Sequence, residues 1–308
     1  MLSPSYAVLV AVKLLWIPIV ESESLYLTCI LMGGGIMGLV YHHTTADGII
    51  GIIGGGALWA TDINFLNDYE EYVAGMGEVL KVCERNKQST GALGESVGKL
   101  YEIIPGFIRN NLERRSSFVT SFTKTRDSLR QWMAYGKPNA SYSIGFHPDA
   151  LKSISLDKEN YRSAELTYAF KNVFYGDNDE INESLDRNLV AKAIKVRGVD
   201  EYAYYLVNIL MFGLCATKRK EFADENEVRM ILQTRIVDQA CSWVRFRNLG
   251  GVITPYINVP IPLDAIGEII IGPSINKDIA EKGVRELLKS KGLNCDIAHS
   301  ACTLRQYS

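Results

Sequence analysis

The sequence predicts an α+β protein in which short strands are interrupted by helical insertions. Stretches of β-branched and aromatic residues, which are typical of strands, recur along the whole chain of 308 residues. Two segments, near 69–113 and 179–218, mix polar and apolar residues at helical spacing and predict helical inserts. Residues 266–299 predict a strand, a helix and a strand. Because strands and helices do not alternate regularly elsewhere, α+β is favoured over a doubly wound α/β fold.

The first regular elements begin at Leu39. Leu39–His43 is a mainly apolar run that predicts a strand, and Ala46–Ile53 has the pattern of a short helix. Asp47 in the first turn and the glycines at 54–56 supply the start and stop signals of this helix. Leu58–Thr61 then predicts a second short strand.

The central part of the chain predicts three further strands and one short helix. Phe118–Phe122 is β-branched and aromatic, and Ser141–Phe146 alternates like a half-buried strand. Residues 166–175 also have strand-like composition. Between the first two strands, Asp127 is predicted to cap a short helix that places Trp132 against the core.

The C-terminal part predicts a group of strands and a final β-α-β unit. A glycine-rich turn at Asn248–Gly251 is predicted to join two of the strands. The predicted strands are Val228–Leu232, Trp243–Arg247, Val252–Val259, Ile266–Ile271 and Asn294–His299, and the predicted helix is Lys277–Lys289.

The N-terminal residues do not fit this pattern. We expect residues 37–308 to form a single α+β domain and residues 1–36 to be a non-native or disordered extension. Three glycines precede Met37, as a translated ribosome-binding site ahead of a start codon would. The glycines at 33, 35 and 38 match Gly-x-Gly-x-x-Gly, but an apolar strand follows them instead of the helix that a dinucleotide-binding loop requires.

Composition narrows the expected partners. The formal net charge of -2 gives no overall electrostatic attraction to nucleic acid or to an anionic membrane. The apolar segment Tyr6–Val20 contains Lys13 and Pro18 and is too short for a clean membrane span, so no membrane partner is expected. The six cysteines are scattered without a Cys-x-x-Cys pair and predict reduced thiols in a cytoplasmic protein.

No metal site is predicted. An acidic patch at Asp62, Asp68, Glu70 and Glu71 offers the oxygen ligands that divalent cations prefer. Turn and helix-start chemistry explains these residues more simply.

Two adjacent histidines stand at the end of the first predicted strand. Because side chains alternate along a strand, His42 and His43 are expected to face opposite sides, one of them in a cleft. A neutral imidazole can hydrogen-bond a ribose hydroxyl through either nitrogen. A structural histidine with a satisfied hydrogen bond is the alternative. Thr44 and Ser121 add hydroxyl groups at strand ends, which are common and individually uninformative.

A downstream motif combines two carboxylates with a cation. Glu225, Glu227 and Arg229 are spaced by two on a predicted strand, which would place them on one face. One carboxylate could orient a substrate while the other stabilises a developing positive charge. Arg229 could pair with one of them and keep it ionised. A solvated strand edge with a surface ion pair is the alternative.

Motifs from about Leu39 to Arg305 resemble, in order, those of the bacterial domain-of-unknown-function 2971 family, which has no settled function. The resemblance covers nearly the whole chain after the predicted extension. The motifs are Tyr41-His42-His43-Thr44-Thr45, Gly56-x-Leu58-Trp59-Ala60-Thr61, Leu66-Asn67-Asp68, Ser121-Phe122-Thr123, Asp127-Ser128-Leu129-x-x-Trp132-x-x-Tyr135-Gly136, Ile144-Gly145-Phe146, Phe222-x-x-Glu225-x-Glu227-x-Arg229, Ile270-Ile271-Gly272-Pro273 and Ser300 with Leu304-Arg305.

A more distant similarity is to ADP-ribosyltransferases of the poly-ADP-ribose polymerase and diphtheria-toxin type. A strand ending in His-x-Thr/Ser, then a helix and Gly-x-Leu, resembles the opening of these enzymes, and a late Glu-x-Glu is similar to the ending of others in the superfamily. The resemblance implies an ADP-ribosyltransferase-like fold of split sheets, with NAD as the substrate.

The resemblance also implies roles for particular residues. Glu227 would bond the 2′-hydroxyl of the nicotinamide ribose, and Glu225 would orient or deprotonate the acceptor, so both are expected to be catalytic. Trp132 competes with Tyr135 as the aromatic that stacks on nicotinamide. The residues expected to bind NAD are His42, Thr44, Ser121, Tyr135 and Arg229.

Three functions stay open at this point. One is transfer of ADP-ribose from NAD to a protein, a nucleic acid or water, in the setting of bacterial defence against phage. Another is a non-catalytic ligand-sensing or protein-interaction module of the same fold. Enzymatic transfer requires His42 and Glu227 to line one cleft that is wide enough for a dinucleotide. A metal-dependent hydrolase using the acidic patch ranks last.

Overall fold

The computed structural model describes residues 36–66, 71–87, 92–136, 141–152, 154, 166–235, 243–274 and 276–303. The predicted extension lies outside these residues except for Ile36. Two members of the acidic patch, Asp68 and Glu70, also lie outside them.

Strands and helices follow one another closely along the described residues. The strands are β1 (Val40–Thr45), β2 (Ala57–Asp62), β3 (Arg115–Thr123), β4 (Ser141–Phe146), β5 (Thr167–Asn172), β6 (Phe174–Tyr175), β7 (Thr217–Lys218), β8 (Glu227–Arg235), β9 (Arg245–Leu249), β10 (Val252–Pro260), β11 (Ile266–Ile271) and β12 (Asp296–His299). The helices are α1 (Ala46–Gly55), α2 (Glu71–Asn86), α3 (Ala92–Arg114), α4 (Leu129–Tyr135), α5 (Pro148–Lys152), α6 (Asp179–Ser184), α7 (Arg187–Arg197), α8 (Val199–Cys215) and α9 (Lys277–Ser290), with short 3₁₀ helices at Ile63–Phe65, Lys220–Glu225 and Leu263–Ala265.

This architecture agrees with the predicted α+β class. Helices α2 and α3 occupy the first predicted helical insert, and α6, α7 and α8 occupy the second. The C-terminal β-α-β unit is also confirmed, because β11 and β12 pair in parallel around α9. Among the described residues, no helix combines the length and the apolar run needed to cross a membrane.

In the part of the chain that the structure describes, the large sheet has ten strands and branches at β3. Its main path runs β12-β11-β4-β1-β3-β2-β10-β9, and β8 and β5 extend it from the other edge of β3. Strands β1 and β2 both pair with the edge of β3 that does not pair with β8. β1 pairs near the end of β3, at Tyr41↔Thr123, and β2 pairs four residues earlier in β3, at Thr61↔Val119. Strand β1 then continues along β4, and β2 along β10. The two arms of the sheet therefore diverge next to β3.

The two faces of the sheet differ in what covers them. On one face, Phe118 and Phe122 of β3 and Met230 of β8 belong to an apolar core that also contains Ile53 of α1. We call this the core face. On the other face, Val119 and Ile231 pack against Phe212 of α8. We call this the helix face. A separate apolar core joins the helices α2, α3, α7 and α8 to one another.

Helix α1 begins directly after the histidine strand. The Thr45 hydroxyl accepts the backbone N–H of Gly48 and caps the helix, and Gly56 ends it in the left-handed conformation with φ of 62°. Gly51 lies against the ring of Trp59, because an added Cβ would come within 2.4 Å of the ring carbon Cζ2. The helix is thus fitted closely between β1 and β2.

Helix α4 is held in place by Trp132, which is 2% exposed. Its ring lies 4.4 Å from the ring of His43, and its Nε1–H donates to Asp127 at 2.6 Å. Asp127 also accepts the hydroxyl of Ser300 at 2.7 Å. The prediction that Asp127 caps the helix is wrong: Ser128 occupies the N-cap position, without a side-chain hydrogen bond. Asp127 instead ties α4 to the C-terminal segment.

We predict that Gly272→Ala destabilises the protein by about 1–3 kcal/mol, the usual cost of overpacking. An added Cβ would lie 2.4 Å from Oγ of Ser141 and 2.8 Å from Cε3 of Trp132. The free energy of unfolding in urea measures the effect. Gly283→Ala is the matched control, because its Cβ would meet nothing within 4 Å in the interior of α9. It should be neutral or stabilising. Equal stabilities of the two variants would contradict the assigned packing of Trp132.

Candidate functional site

Four charged side chains meet where β8 begins, and we call them the carboxylate cluster: Lys218, Glu225, Glu227 and Arg229. The ammonium of Lys218 lies 2.7 Å from a carboxylate oxygen of Glu225 and 2.8 Å from one of Glu227. Arg229 donates to Glu227 from Nε at 2.7 Å and from Nη2 at 3.2 Å. Arg229 is fully buried, and Glu227 is 4% exposed. The cluster therefore brings two carboxylates and two cations together away from solvent.

Glu225 and Glu227 both contact Lys218 because the backbone turns between them. They do not lie on one face of a strand. The prediction that Glu225 lies on the strand is wrong, since it ends the 3₁₀ helix Lys220–Glu225 and β8 begins only at Glu227. Asn226 between them adopts φ of 45°, in the left-handed region that asparagine tolerates better than most residues. The Thr123 hydroxyl donates to the backbone carbonyl of Glu225 at 2.7 Å and stabilises the turn.

Glu227 is held in its ionised form. Burial raises the pKa of its carboxyl, but the charges of Arg229 and Lys218 outweigh burial and lower that pKa from 4.5 to about 2. Its backbone N–H donates to the Tyr175 hydroxyl at 2.7 Å. The remaining guanidinium nitrogen of Arg229, Nη1, donates to the carbonyl of Cys215 at the end of α8. The position of Glu227 is thus fixed by groups from separate parts of the chain.

Glu225 is more accessible than Glu227. Its side chain is 12% exposed, against 5% for Glu227. Lys218 donates to Oε2, whereas Nη2 of Arg130 lies 3.8 Å from Oε1. This distance is too long for a hydrogen bond. Within the described residues, Oε1 of Glu225 is therefore the carboxylate oxygen of the cluster with room for a ligand.

Tyr135 is one of three aromatic side chains near the carboxylate cluster, together with Phe222 and Tyr175. It is half-buried at the end of α4. Burial raises the pKa of its hydroxyl, and the charges that act on this pKa are those of the four cluster residues. Trp132, the competing candidate, is buried against His43 and bonded to Asp127. Only Tyr135 of these two is placed to meet a ligand at the cluster.

His42 of β1 forms a hydrogen bond to β3, next to the place where β1 and β2 diverge. Its Nδ1 lies 2.9 Å from the carbonyl oxygen of Ser121, so the neutral imidazole donates Nδ1–H there. The ring lies 5.8 Å from that of Phe122, on the core face. Burial lowers the pKa of His42, and the positive charge of Arg247 lowers it further. His42 is consequently a neutral imidazole whose Nε2 has no hydrogen bond within the described residues.

His43 points the other way, towards α4. It is 7% exposed and packed against Trp132, with Oγ of Ser143 at 3.5 Å from Nδ1. Burial lowers the pKa of His43 to about 3. The two histidines do face opposite sides, as strand alternation predicts. His43 fills space beneath α4.

The expectation that His42 and Glu227 face one cleft is not met. Tyr41 pairs with Thr123, and Thr123 pairs with Glu227, so these three side chains share the helix face. His42 follows Tyr41 and therefore leaves the sheet on the core face. The physical reason is the register of β1, which places its odd-numbered residues on the helix face and its even-numbered residues, His42 among them, on the core face.

Ser121 and Thr44 lie close to His42 but take different roles. Ser121 pairs with Arg229 across β3 and β8, so its side chain is on the helix face while its carbonyl holds His42. The hydroxyl of Thr44 packs against Gly48 of α1, where an added Cβ would come within 1.9 Å of it. The structure thus groups Tyr135, Glu225, Glu227 and Arg229 on one side of β3, and His42 and Thr44 on the other.

Sequence reasoning missed three residues of these sites: Lys218, Tyr175 and Arg247. Lys218 follows the apolar end of α8, and a lone lysine after a buried helix is a weak signal of an ion pair. Tyr175 and Arg247 carry no local signal, because their partners are distant in the sequence. As to metals, the described residues contain no group of three or more His, Cys, Asp or Glu side chains that could hold an ion.

Part of the chain matches a known protein family. A family described as "Protein of unknown function (DUF2971)" matches residues 131–230, about a third of the chain. This stretch contains Trp132, Tyr135 and the whole carboxylate cluster. The resemblance stated from the sequence is thus supported over residues 131–230. No curated protein matches the chain.

We predict that Glu227 contributes to stability in a pH-dependent way. Its folded-state pKa lies below the ordinary value, so its contribution is present above pH 4.5 and is lost as the pH falls towards 2. A pKa change from 4.5 to about 2 corresponds to about 3 kcal/mol at neutral pH. The free energies of unfolding of the wild type and Glu227→Gln should differ most at pH 7 and converge below pH 4.

The control for this measurement is Asp224→Asn. Asp224 is 87% exposed, with Arg130 at 3.6 Å, and a surface pair of this kind contributes little. Its effect on the free energy of unfolding should be small at every pH. A difference between the wild type and Glu227→Gln that stays constant from pH 7 to pH 3 would contradict the assigned ionisation.

Proposed function

We propose that the protein is an NAD-binding enzyme of the ADP-ribosyltransferase type. It would cleave the bond between nicotinamide and ribose and transfer ADP-ribose to a protein, a nucleic acid or water. The observation that carries the proposal is the carboxylate cluster beside Tyr135, in which Oε1 of Glu225 has no hydrogen bond within the described residues.

Cleavage of the bond between nicotinamide and ribose needs a negative charge close to the ribose ring. As nicotinamide leaves, positive charge develops on the ribose ring, and a fixed carboxylate stabilises that charge. In the carboxylate cluster the two oxygens of Glu227 already accept Arg229 and Lys218. Oε1 of Glu225, which has Arg130 at 3.8 Å but no hydrogen bond within the described residues, would accept the 2′-hydroxyl of the nicotinamide ribose. The proposal therefore gives Glu225 the role that the sequence assigned to Glu227, and makes Glu227 a positioning residue.

The surroundings of Glu225 suit the nicotinamide group of NAD, which is positively charged when bonded to ribose and neutral after it leaves. Nicotinamide in NAD is a flat, positively charged ring, and the half-buried ring of Tyr135 would offer it an aromatic face on which to stack. Arg229 and Lys218 hold the carboxylates in place before the substrate arrives, so little reorganisation is needed during the reaction. His42 lies on the core face and takes no part in this arrangement. The proposal therefore gives up the requirement, drawn from the sequence, that His42 and Glu227 line one cleft, and rests on Glu225 and Tyr135 instead.

A second candidate is a ligand-binding module of the same fold without turnover. Two observations favour it: His42 and Glu227 leave the sheet on opposite faces, and Glu227 is saturated by its cations. Such a module would bind NAD or ADP-ribose and leave the glycosidic bond intact. Binding and turnover must therefore be measured separately.

We predict that Glu225→Gln lowers NAD turnover at least about 100-fold, the usual loss when one electrostatic stabiliser of a transition state is removed. Nicotinamide release from NAD by the purified protein measures turnover, and calorimetry with NAD measures binding. Asp224→Asn, one residue earlier and largely exposed, is the matched control and should keep wild-type turnover.

The outcomes separate the two candidates. Binding of NAD by the wild type without nicotinamide release would refute the enzyme and support the binding module. Turnover that survives Glu225→Gln would refute the role of Glu225. If the wild type neither binds nor cleaves NAD, both candidates fail.

A further inference from the structure

Arg130 of α4 lies beside Oε1 of Glu225, the carboxylate oxygen that accepts no hydrogen bond from the described residues. Nη2 of Arg130 is 3.8 Å from this oxygen, and Nη1 is 3.6 Å from Oδ2 of Asp224. Both distances exceed the length of a hydrogen bond. The side chain of Arg130 is 42% exposed, and it forms no hydrogen bond within the part of the chain that the structure describes. A ligand that reaches Glu225 would therefore also meet guanidinium donors that are available for bonding.

The ring of Phe222 connects Arg130 to a second exposed arginine, Arg219. The guanidinium carbon of Arg130 is 5.8 Å from the centre of this ring, and that of Arg219 is 5.4 Å from it. Nζ of Lys218 is 5.5 Å from the same centre. Arg219 directly precedes the 3₁₀ helix Lys220–Glu225. Attraction between each cation and the shared ring keeps both guanidinium groups close to the entrance of the carboxylate cluster.

The two arginines add positive charge next to a group that is already balanced. Within the carboxylate cluster, two cations offset two carboxylates. Asp224 is the other acid that lies within 4 Å of Arg130, and because it is 87% exposed, water screens the attraction between them. An anionic group on a ligand that is bound to Glu225 would replace this weak pair with a charge-assisted hydrogen bond to Arg130.

The three side chains around Oε1 of Glu225 define what a ligand must carry. The carboxylate of Glu225 requires a hydroxyl donor, the ring of Tyr135 suits a flat ring, and Arg130 requires an anion. In NAD, the nicotinamide ribose supplies the hydroxyl and the flat ring, and a phosphate is attached to the same sugar. A planar guanidinium matches two phosphate oxygens at once.

We propose that Arg130, supported by Arg219 and the Phe222 ring, binds the phosphate attached to the nicotinamide ribose. The site would thereby select phosphorylated ribosides over the free riboside. This inference rests on the proposed function, because it takes Glu225 to bind the ribose. Arg229, which the sequence predicted to bind NAD, is fully buried and donates to Glu227 and to a backbone carbonyl. Arg130 is therefore the better placed of the two arginines for a phosphate.

Calorimetry with two ligands measures this selectivity. Nicotinamide mononucleotide carries the phosphate, and nicotinamide riboside lacks it. The wild type should bind the mononucleotide at least about tenfold more tightly, as one charge-assisted contact would give. Arg130→Met removes the guanidinium and keeps an unbranched apolar side chain, so it should lose most of this preference. Its affinity for the riboside should stay within about twofold of the wild-type value.

Two further variants serve as comparisons. Arg285→Met is the matched control, because Arg285 is likewise an exposed arginine beside a glutamate, but it lies on α9. It should keep the wild-type preference. Arg130→Lys keeps the charge but not the planar fork, so its preference should be intermediate. Because Arg130 is 42% exposed and its ion pairs are long, both of its variants should fold like the wild type.

Equal affinity of the wild type for the two ligands would overturn the phosphate contact and leave the proposed function standing. A preference for the mononucleotide that survives in Arg130→Met would overturn the role of Arg130 in the same way. If the wild type binds neither ligand, the proposed function fails, and this inference fails with it. Turnover is not a readout here, so an enzyme and a binding module give the same expected result.

Discussion

The buried pairing of Glu227 with Arg229 and Lys218 is the interaction on which the candidate site depends. It joins the end of α8, the short strand β7 and the start of β8, and it keeps Glu227 ionised without exposing it. Two carboxylates and two cations nearly cancel, which makes burial of the group tolerable. A buried ion cluster stabilises a fold no better than apolar packing of the same volume. Its presence beside a half-buried tyrosine therefore favours a functional role over a purely structural one.

The branching of the sheet at β3 creates two distinct polar regions. On the helix face, the edge shared with β8 carries Arg229 and Glu227 opposite Ser121 and Thr123. On the other edge, the divergence of β1 from β2 leaves space that the imidazole of His42 enters to reach the Ser121 carbonyl. A regular sheet would fill that edge with a single strand and satisfy the carbonyl by a ladder hydrogen bond. The branch thus allows β3 to support the carboxylate cluster along one edge and the imidazole of His42 along the other.

Local sequence signals predicted most of the elements, and the errors have identifiable causes. Segments with strong β-branched or aromatic composition, such as Phe118–Phe122, lie in strands, and the β-α-β unit at the C-terminus agrees with the structure. Asp127 failed as a cap because its carboxylate has stronger partners in Trp132 and in Ser300, 173 residues away. Glu225 failed as a strand residue because Asn226 takes a left-handed conformation, which alternation of polarity does not reveal.

The sequence by itself determined the α+β class, the positions of most strands, and the pairing of Arg229 with a nearby carboxylate, because each follows from residues close together in the chain. It also determined that His42 and His43 face opposite sides. Tertiary structure alone decided which of them shares a face with Glu227, since the pairing of Tyr41 with Thr123 sets that register. It also decided that Lys218 joins the two glutamates, and that Arg247 lies between Trp59 and Tyr256. These contacts link distant segments, and their energies depend on burial and geometry that no local pattern encodes.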